Sequence, residues 1–344
     1  MTTTSPTTPI TSVITALETL MRQSQRIWLM LHVSPDLDAV GANLGMAAWI
    51  RHVNPTCEVR LIGADRPRDN LLVLANAYDP QLYTQLDSAV APYAAGDAVI
   101  LVDVAEMRRC SHHEVVLPAE VPWAVVDHHR VVCTAPVQFI DPSFQSAAAV
   151  VYHLAQQAQV AFPLAAFQGL VMGVLGDSGF FRFRDAHLPE TLGIVQALVE
   201  QHGLDAYYDL VELLERNRPA TDFVIQGLYL GQLVVTPTYA YTTLTLAQMQ
   251  AAAITPEQVR GLNGAMLIRN IGSTAVVFAV TEREHGVYSV SFRTCAGSTQ
   301  SVREWAEQLG GGGHPMAAAA ELRVADMPAA VTAVLAVVMG DGVR

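Results

Sequence analysis

Apolar residues in the first part of the chain come in short continuous runs that stop at an acid or an imidazole. Residues 27–31 end in His32, residues 98–102 run into Asp103, and residues 123–126 run into Asp127, His128 and His129. Continuous Val/Ile/Leu runs read as strands buried on both faces, as in a parallel sheet. A fourth run, residues 170–175, leads into Gly176, Asp177, Ser178 and Gly179. Helices are expected over 11–24, 39–53, 145–157 and 163–175, with a further strand around Val59. This alternation predicts an α/β fold with a doubly wound, largely parallel sheet. Residues 188–230 read as largely helical, with breaks at Gly203 and Pro219. Beyond them the pattern changes. Strands are expected over 239–244, 264–270, 275–281 and 287–292 and a helix over 302–309, which suggests a smaller mixed α+β domain. The expected organisation is a disordered tail (1–10), a first domain (11–200), a helical connector (201–230) and a second domain (231–344).

The segment from Leu31 to Gly41 carries the most chemistry. A strand ends in His32, a turn follows at Pro35, and Asp36 and Asp38 stand one residue apart. In extended backbone both carboxylates point to one side. An ordinary Asx turn with Asp as helix cap would explain this segment alone. The other runs tip the balance. In open α/β sheets ligands gather at the carboxyl ends of the strands, so His32, Asp36, Asp38, Asp103, Asp127, His128, His129 and Asp177 would meet in one crevice. Crowded carboxylates raise one another's pKa, and divalent cations relieve that cost. Oxygen ligands with imidazoles suit Mn or Mg, with Co, Fe or Zn as further options.

These motifs together resemble the DHH phosphoesterases: His32 with Pro35, Asp36, Asp38, Ala39 and Gly41; the isolated Asp103; the triplet Asp127, His128, His129; and Gly176 to Gly179. Ser291, Phe292 and Arg293, with Gly310 to Gly313, His314, Pro315 and Met316, resemble the DHH-associated second domain. Order and spacing are most similar to the branch that acts on short oligoribonucleotides and 3'-phosphoadenosine 5'-phosphate. Ala42 stands where many members have Ser, and residues 317–320 lack the Gly often found there. The resemblance implies two divalent cations, Mn before Mg or Co. One would be held by His32, Asp36 and Asp103. The other would be held by Asp38, Asp103, His128 and Asp177, with Asp103 shared. It also implies that His129 faces the substrate phosphate, that Asp127 orients an imidazole, and that Arg293, Gly311, Gly312, Gly313 and His314 hold the nucleotide end.

Composition narrows the substrate. The net charge is -12 over 344 residues, whereas proteins that grip long nucleic acid usually carry a basic surface. Short RNA or nucleotides are therefore expected rather than long strands. The Thr/Pro-rich start does not read as a signal peptide, and no apolar run reaches the roughly 18 residues a membrane span needs. Residues 329–339 read instead as a buried terminal helix. A cytoplasmic protein is expected, with no membrane partner and with homodimer formation compatible. Cys57, Cys110, Cys133 and Cys295 form no C-x-x-C pair and read as small hydrophobes. Arg109 and Arg182 are weaker site candidates, and His112 and His113 read as a solvated loop without an acidic partner. Three functions compete: a phosphoesterase on short oligoribonucleotides or nucleoside bisphosphates, a phosphoanhydride hydrolase such as an exopolyphosphatase or pyrophosphatase, and a non-catalytic nucleotide-binding module. The full ligand set disfavours the third, and the glycine-rich loop disfavours the second.

Overall fold

The computed structural model describes residues 9–216, 218–259 and 262–340. It divides into two compact units, 1–217 and 218–344. The expected tail falls mostly on residues 1–8, which lie outside the described residues.

In the first unit, β1 (Arg26–Met30), β2 (Glu58–Gly63), β3 (Tyr83–Gln85), β4 (Asp97–Val102), β5 (Trp123–Asp127) and β6 (Val137–Ile140) form one sheet in the order β3-β2-β1-β4-β5-β6. Every pairing is parallel. The helices are α1 (Ile10–Gln23), α2 (Leu37–Val53), α3 (Asp69–Tyr78), α4 (Ala147–Gln157), α5 (Leu164–Asp177), α6 (Leu188–His202) and α7 (Leu204–Val211). Alternation along β1 sends Ile27, Leu29 and Leu31 into the helical core. Trp28 and Met30 go into a second core closed by loop residues such as Val104, Cys110, Val121 and Ala135. Helix α2 is buried almost all round, so it reads as an apolar block rather than an amphipathic stripe. Gly41 explains how it fits: a Cβ there would overlap the carbonyl oxygen of Gly169 on α5. The two helices touch backbone to backbone, and the sheet's strand order reverses beside them, between β1 and β4.

The second unit contains α8 (Ala220–Leu230), β7 (Val234–Val235), β8 (Tyr239–Leu244), α9 (Leu246–Ala251), α10 (Pro256–Val259), α11 (Gly264–Ile268), β9 (Val276–Glu284), β10 (Val287–Thr294), α12 (Arg303–Gln308), β11 (Gly312–His314), β12 (Ala317–Arg323) and α13 (Met327–Gly340). Its sheet runs β11-β12-β10-β9-β8-β7, with β8 and β9 parallel and the other pairs antiparallel. The residues expected as a connector divide between the units. Ala206 and Leu210 of α7 join the first core, while Ile225 and Tyr229 of α8 pack with Leu244 and Met249.

One expected strand is a helix. Residues 264–268 form α11, because the Asn263 side chain accepts hydrogen bonds from the amides of Ala265 and Met266. A side-chain cap followed by Ala, Met and Leu outweighs what a short apolar run alone suggests. The alanine-rich residues 317–323 form a strand, β12, although alanine is a poor strand former.

Candidate active site

Three neighbouring strands deliver the site. His32 follows β1, Asp103 follows β4, and Asp127 closes β5 with His128 and His129 behind it. Helix α2 brings Asp36 as its cap and Asp38 in its first turn. Asp177 ends α5. The eight candidates fall into three overlapping groups with ligand atoms close enough to share an ion: His32, Asp36, Asp103; Asp38, His128, Asp177; and Asp103, Asp127, His128, His129.

Asp103 is the pivot. Its Oδ2 lies 3.4 Å from His32 Nε2 and its Oδ1 lies 3.4 Å from His128 Nε2. His128 Nε2 is also 3.4 Å from Asp177 and 3.8 Å from Asp38. His32 Nε2 is 3.9 Å from Asp36. Asp103 holds a φ of 64°, a left-handed conformation that non-glycine residues adopt at a cost and that clusters at functional sites. Fully buried Asn43 reaches from α2 to the carbonyl of Val102, just before it, at 3.4 Å.

The remaining ligands are also anchored. The Asp36 carboxylate accepts from the amides of Asp38 and Ala39, so it caps α2 as well as facing His32. The Asp38 carboxylate accepts from the amides of Ala147 and Ala148 at 2.6 and 2.9 Å, at the N-terminus of α4, where the helix dipole favours an anion. Gly173 leaves room for it: a Cβ there would stand 2.5 Å from Asp38 Oδ1. His32 Nδ1 lies 2.8 Å from the carbonyl of Val33, so Nδ1 donates and Nε2 is the ring atom left to face the carboxylates. Asp127 Oδ1 accepts from the amides of His128 and His129 and lies 2.8 Å from His129 Nδ1.

The electrostatics are strained. Burial, then Asp103 and Asp177, push Asp38 well up, against the pull of His128. Burial and then Asp36 push Asp177 up to about 8. Burial raises Asp103, but the neighbouring imidazoles of His128 and His32, each 3.4 Å away, outweigh it and hold that carboxyl well below its usual range. Burial lowers both imidazoles, yet the surrounding carboxylates raise His32 to about 8 and His128 to about 10. Asp103 Oδ1 and His128 Nε2 are buried without hydrogen-bond partners. Buried polar atoms left facing one another in this way are what a cation would join, and the mixed carboxylate and imidazole set fits a divalent metal.

The weaker candidates resolve differently. Arg182 donates to the carbonyl of Gly179 at 2.6 Å and so braces the turn after Asp177. Arg109 contributes its backbone carbonyl, which accepts from Val33. His112 does have an acidic partner, contrary to expectation: its Nε2 lies 2.9 Å from Asp65 Oδ1. Asp65 in turn accepts from the amide of Ser34, whose φ is 55°. It therefore holds the loop between His32 and Asp36. A lone loop Asp in the sequence gives no hint of this role, since the contact is tertiary.

In the second unit, β10 carries Ser291 and Arg293 on one face, and register places Ala317 and His314 on that face beside Arg293. The chain's own packing accounts for most of the glycine run. Gly310 has a φ of 80°, and a Cβ on Gly311 or Gly313 would strike the backbone of β12. Gly310 and Gly312 have open space where a side chain would stand, and of the two only Gly312 lacks a positive φ.

Comparison with known proteins agrees with this layout. Residues 26–173 match the DHH family, N-terminal domain, and residues 237–340 match the DHHA1 domain. The chain is 30% identical to the bifunctional oligoribonuclease and PAP phosphatase NrnA of Thermus thermophilus, over 92% of this chain and 90% of that protein. The chain belongs to the DHH family. The Bacillus subtilis protein of the same name is 23% identical over 86% of this chain and 89% of its own length. An exopolyphosphatase-related protein from Bacteroides fragilis shares the fold, with a TM-score of 0.83, 17% identity and 98% of both chains covered. Among the described residues, no helix of this DHH protein is long and apolar enough to cross a membrane.

Proposed function

We propose that this protein is a phosphoesterase that uses two divalent cations, Mn by preference, to hydrolyse short oligoribonucleotides and 3'-phosphoadenosine 5'-phosphate in the cytoplasm. One observation carries the reading: the two oxygens of Asp103 turn to different imidazoles, so one carboxylate belongs to two ligand groups. His32, Asp36 and Asp103 would hold one cation, and Asp38, Asp103, His128 and Asp177 the other. Bound there, cations supply Lewis acidity that activates water and offsets charge on phosphoryl oxygens. The relatives' names support the substrate class. The free cysteines suit a reducing compartment.

The chain's own groups do the rest. With Nδ1 held by Asp127, His129 offers Nε2 to the phosphoryl group and passes a proton to the leaving oxygen. Arg293, Gly311, Gly312, Gly313 and His314 grip the nucleotide end of the substrate. The test is one parallel assay of Mn-loaded protein on a diribonucleotide, adenosine 3',5'-bisphosphate and pyrophosphate, with a chelated control. Turnover of the first two and loss on chelation are expected. Turnover of pyrophosphate alone, or full activity after chelation, would sink the reading.

A further inference from the structure

Two residues of one ligand group are fastened from a single short segment. Residues 145–148 carry three donors for them. The amides of Ala147 and Ala148 hold the Asp38 carboxylate, and the Gln145 side chain donates from Nε2 to the carbonyl of Asp177 at 3.0 Å. The end of α5 makes that last bond useful. It closes on Gly179, at a φ of 57°, with the amide of Gly179 bonded to the carbonyl of Gly176 and the amide of Phe180 to that of Leu175. This cap serves two of the carbonyls that a helix end leaves open. Gln145 takes the carbonyl of the ligand residue itself. A ring contact lies beside it. Phe144 stacks on His187 at 5.5 Å with 11° between the planes, and it meets His153 of α4 at 5.2 Å. His187 ends the loop that follows Asp177. Asp38 and Asp177 both face His128 Nε2, at 3.8 and 3.4 Å. Two carboxylates so placed repel each other, and their separation has to be set from outside.

We propose that Gln145 is a positioning residue for the cation of Asp38, Asp103, His128 and Asp177. With the Phe144 stack it clasps the end of α5 to the start of α4, and so fixes how far apart two of that cation's carboxylates stand. It acts through the main chain of Asp177 rather than as a ligand, in the way that outer partners orient the groups that hold a metal. The other ligand group leans on a different support, since Asp65 holds the loop between His32 and Asp36. Loss of the clasp therefore falls on one cation and spares the other. The role of Gln145 rests on the two-cation reading above.

Calorimetric titration of Mn into protein stripped of metal tests it without turnover. Gln145→Met keeps the length of the side chain and removes its donor. It should weaken one Mn of the two about fivefold to tenfold, the scale of one hydrogen bond, and leave the other unchanged. Phe144→Leu should act in the same direction, and Phe144→Tyr, which keeps the ring, should bind Mn as the wild type does. In an Asp177→Asn background, which gives up the same cation, adding Gln145→Met should not weaken the remaining Mn. Equal weakening of both cations, no weakening, or a further loss in the Asp177→Asn background overturns the role. Hydrogen exchange on the stripped protein reads the clasp without metal. The amides of Ala147 and Ala148 should exchange about fivefold to tenfold faster in Gln145→Met, while a thermal melt confirms that the variant folds. Unchanged exchange means that Gln145 clasps nothing. If the wild type binds fewer than two Mn, the two-cation reading fails and the role of Gln145 falls with it, whatever exchange shows.

Discussion

At the carboxyl rim of the first sheet, the side chains that matter are charged and pinned. Asp38 is held by two amides of α4, His32 by the carbonyl of Val33, and His129 by Asp127. The β11–β12 hairpin of the second unit is built the other way. What matters there is absence: Gly311 and Gly313 press on the backbone of β12, and Gly312 faces open space. The rim sets the chemistry by fixing charges at 3–4 Å from one another. The hairpin offers a surface by withholding side chains. A substitution at the rim should therefore strike metal and rate with the fold intact, and one in the hairpin should strike either the fold or the substrate grip, depending on the glycine.

The sharpest test of the rim is Asp103→Asn, which keeps the shape and removes the shared charge. Turnover should drop at least about a thousandfold, in line with the several kcal/mol that metal catalysis supplies. Metal content by mass spectrometry should fall while circular dichroism holds.

The paired imidazoles come next. His128→Ala should lose metal, whereas His129→Ala should keep it and lose roughly 100- to 10,000-fold in rate, the span of a general acid. Equal metal loss in both would erase the distinction between them.

The hairpin answers with smaller, divided effects. Gly311→Ala should destabilise the protein by about 1–3 kcal/mol, the cost of overpacking, as read by denaturant unfolding. Gly312→Ala should leave stability unchanged and raise KM for dinucleotides. If both glycines behave alike, the contrast between the two regions collapses.

The smallest effect is in pH. The chelated site keeps protons on His32 to about 8, on Asp177 to about 8 and on His128 to about 10. Each folded value lies above the ordinary one, so each group's contribution to stability is present at low pH and is lost as pH rises towards the folded value. Asp103 has the opposite sign and is lost only in acid. Chelated protein should therefore melt at a lower temperature at pH 9 than at pH 6. Cations compete with those protons, so the melting shift produced by Mn should grow over the same interval and binding at pH 7 should release protons.

Much of the rim was legible in the sequence. Strands β1, β4 and β5 are continuous apolar runs that stop at their ligands, and runs so short, rich in Val and Ile, suit strands buried on both faces. What eluded sequence reading depends on distant partners. Alanine is a poor strand former, yet residues 317–323 become β12 because Gly311 and Gly313 let its backbone come close. Residues 264–268 turned helical on one Asn cap. Asp65, Asn43 and Gln145 carry no local signal, since each acts on a residue far away in the chain.

The bond from Asp38 to Ala147 spans 109 residues, and that span has a kinetic side. Contacts so far apart in sequence are slow to form, because a long loop must close before they reward it. A chain that emerges from its N-terminus exposes His32, Asp36 and Asp38 long before α4 exists to fasten them, and Asp177 arrives later still. On the ribosome, the acidic motif that opens the site therefore waits, unfastened, through the synthesis of most of the first unit. The motif is fastened only when the start of α4 has been made, and its set of carboxylates is complete only when Asp177 follows at the end of α5.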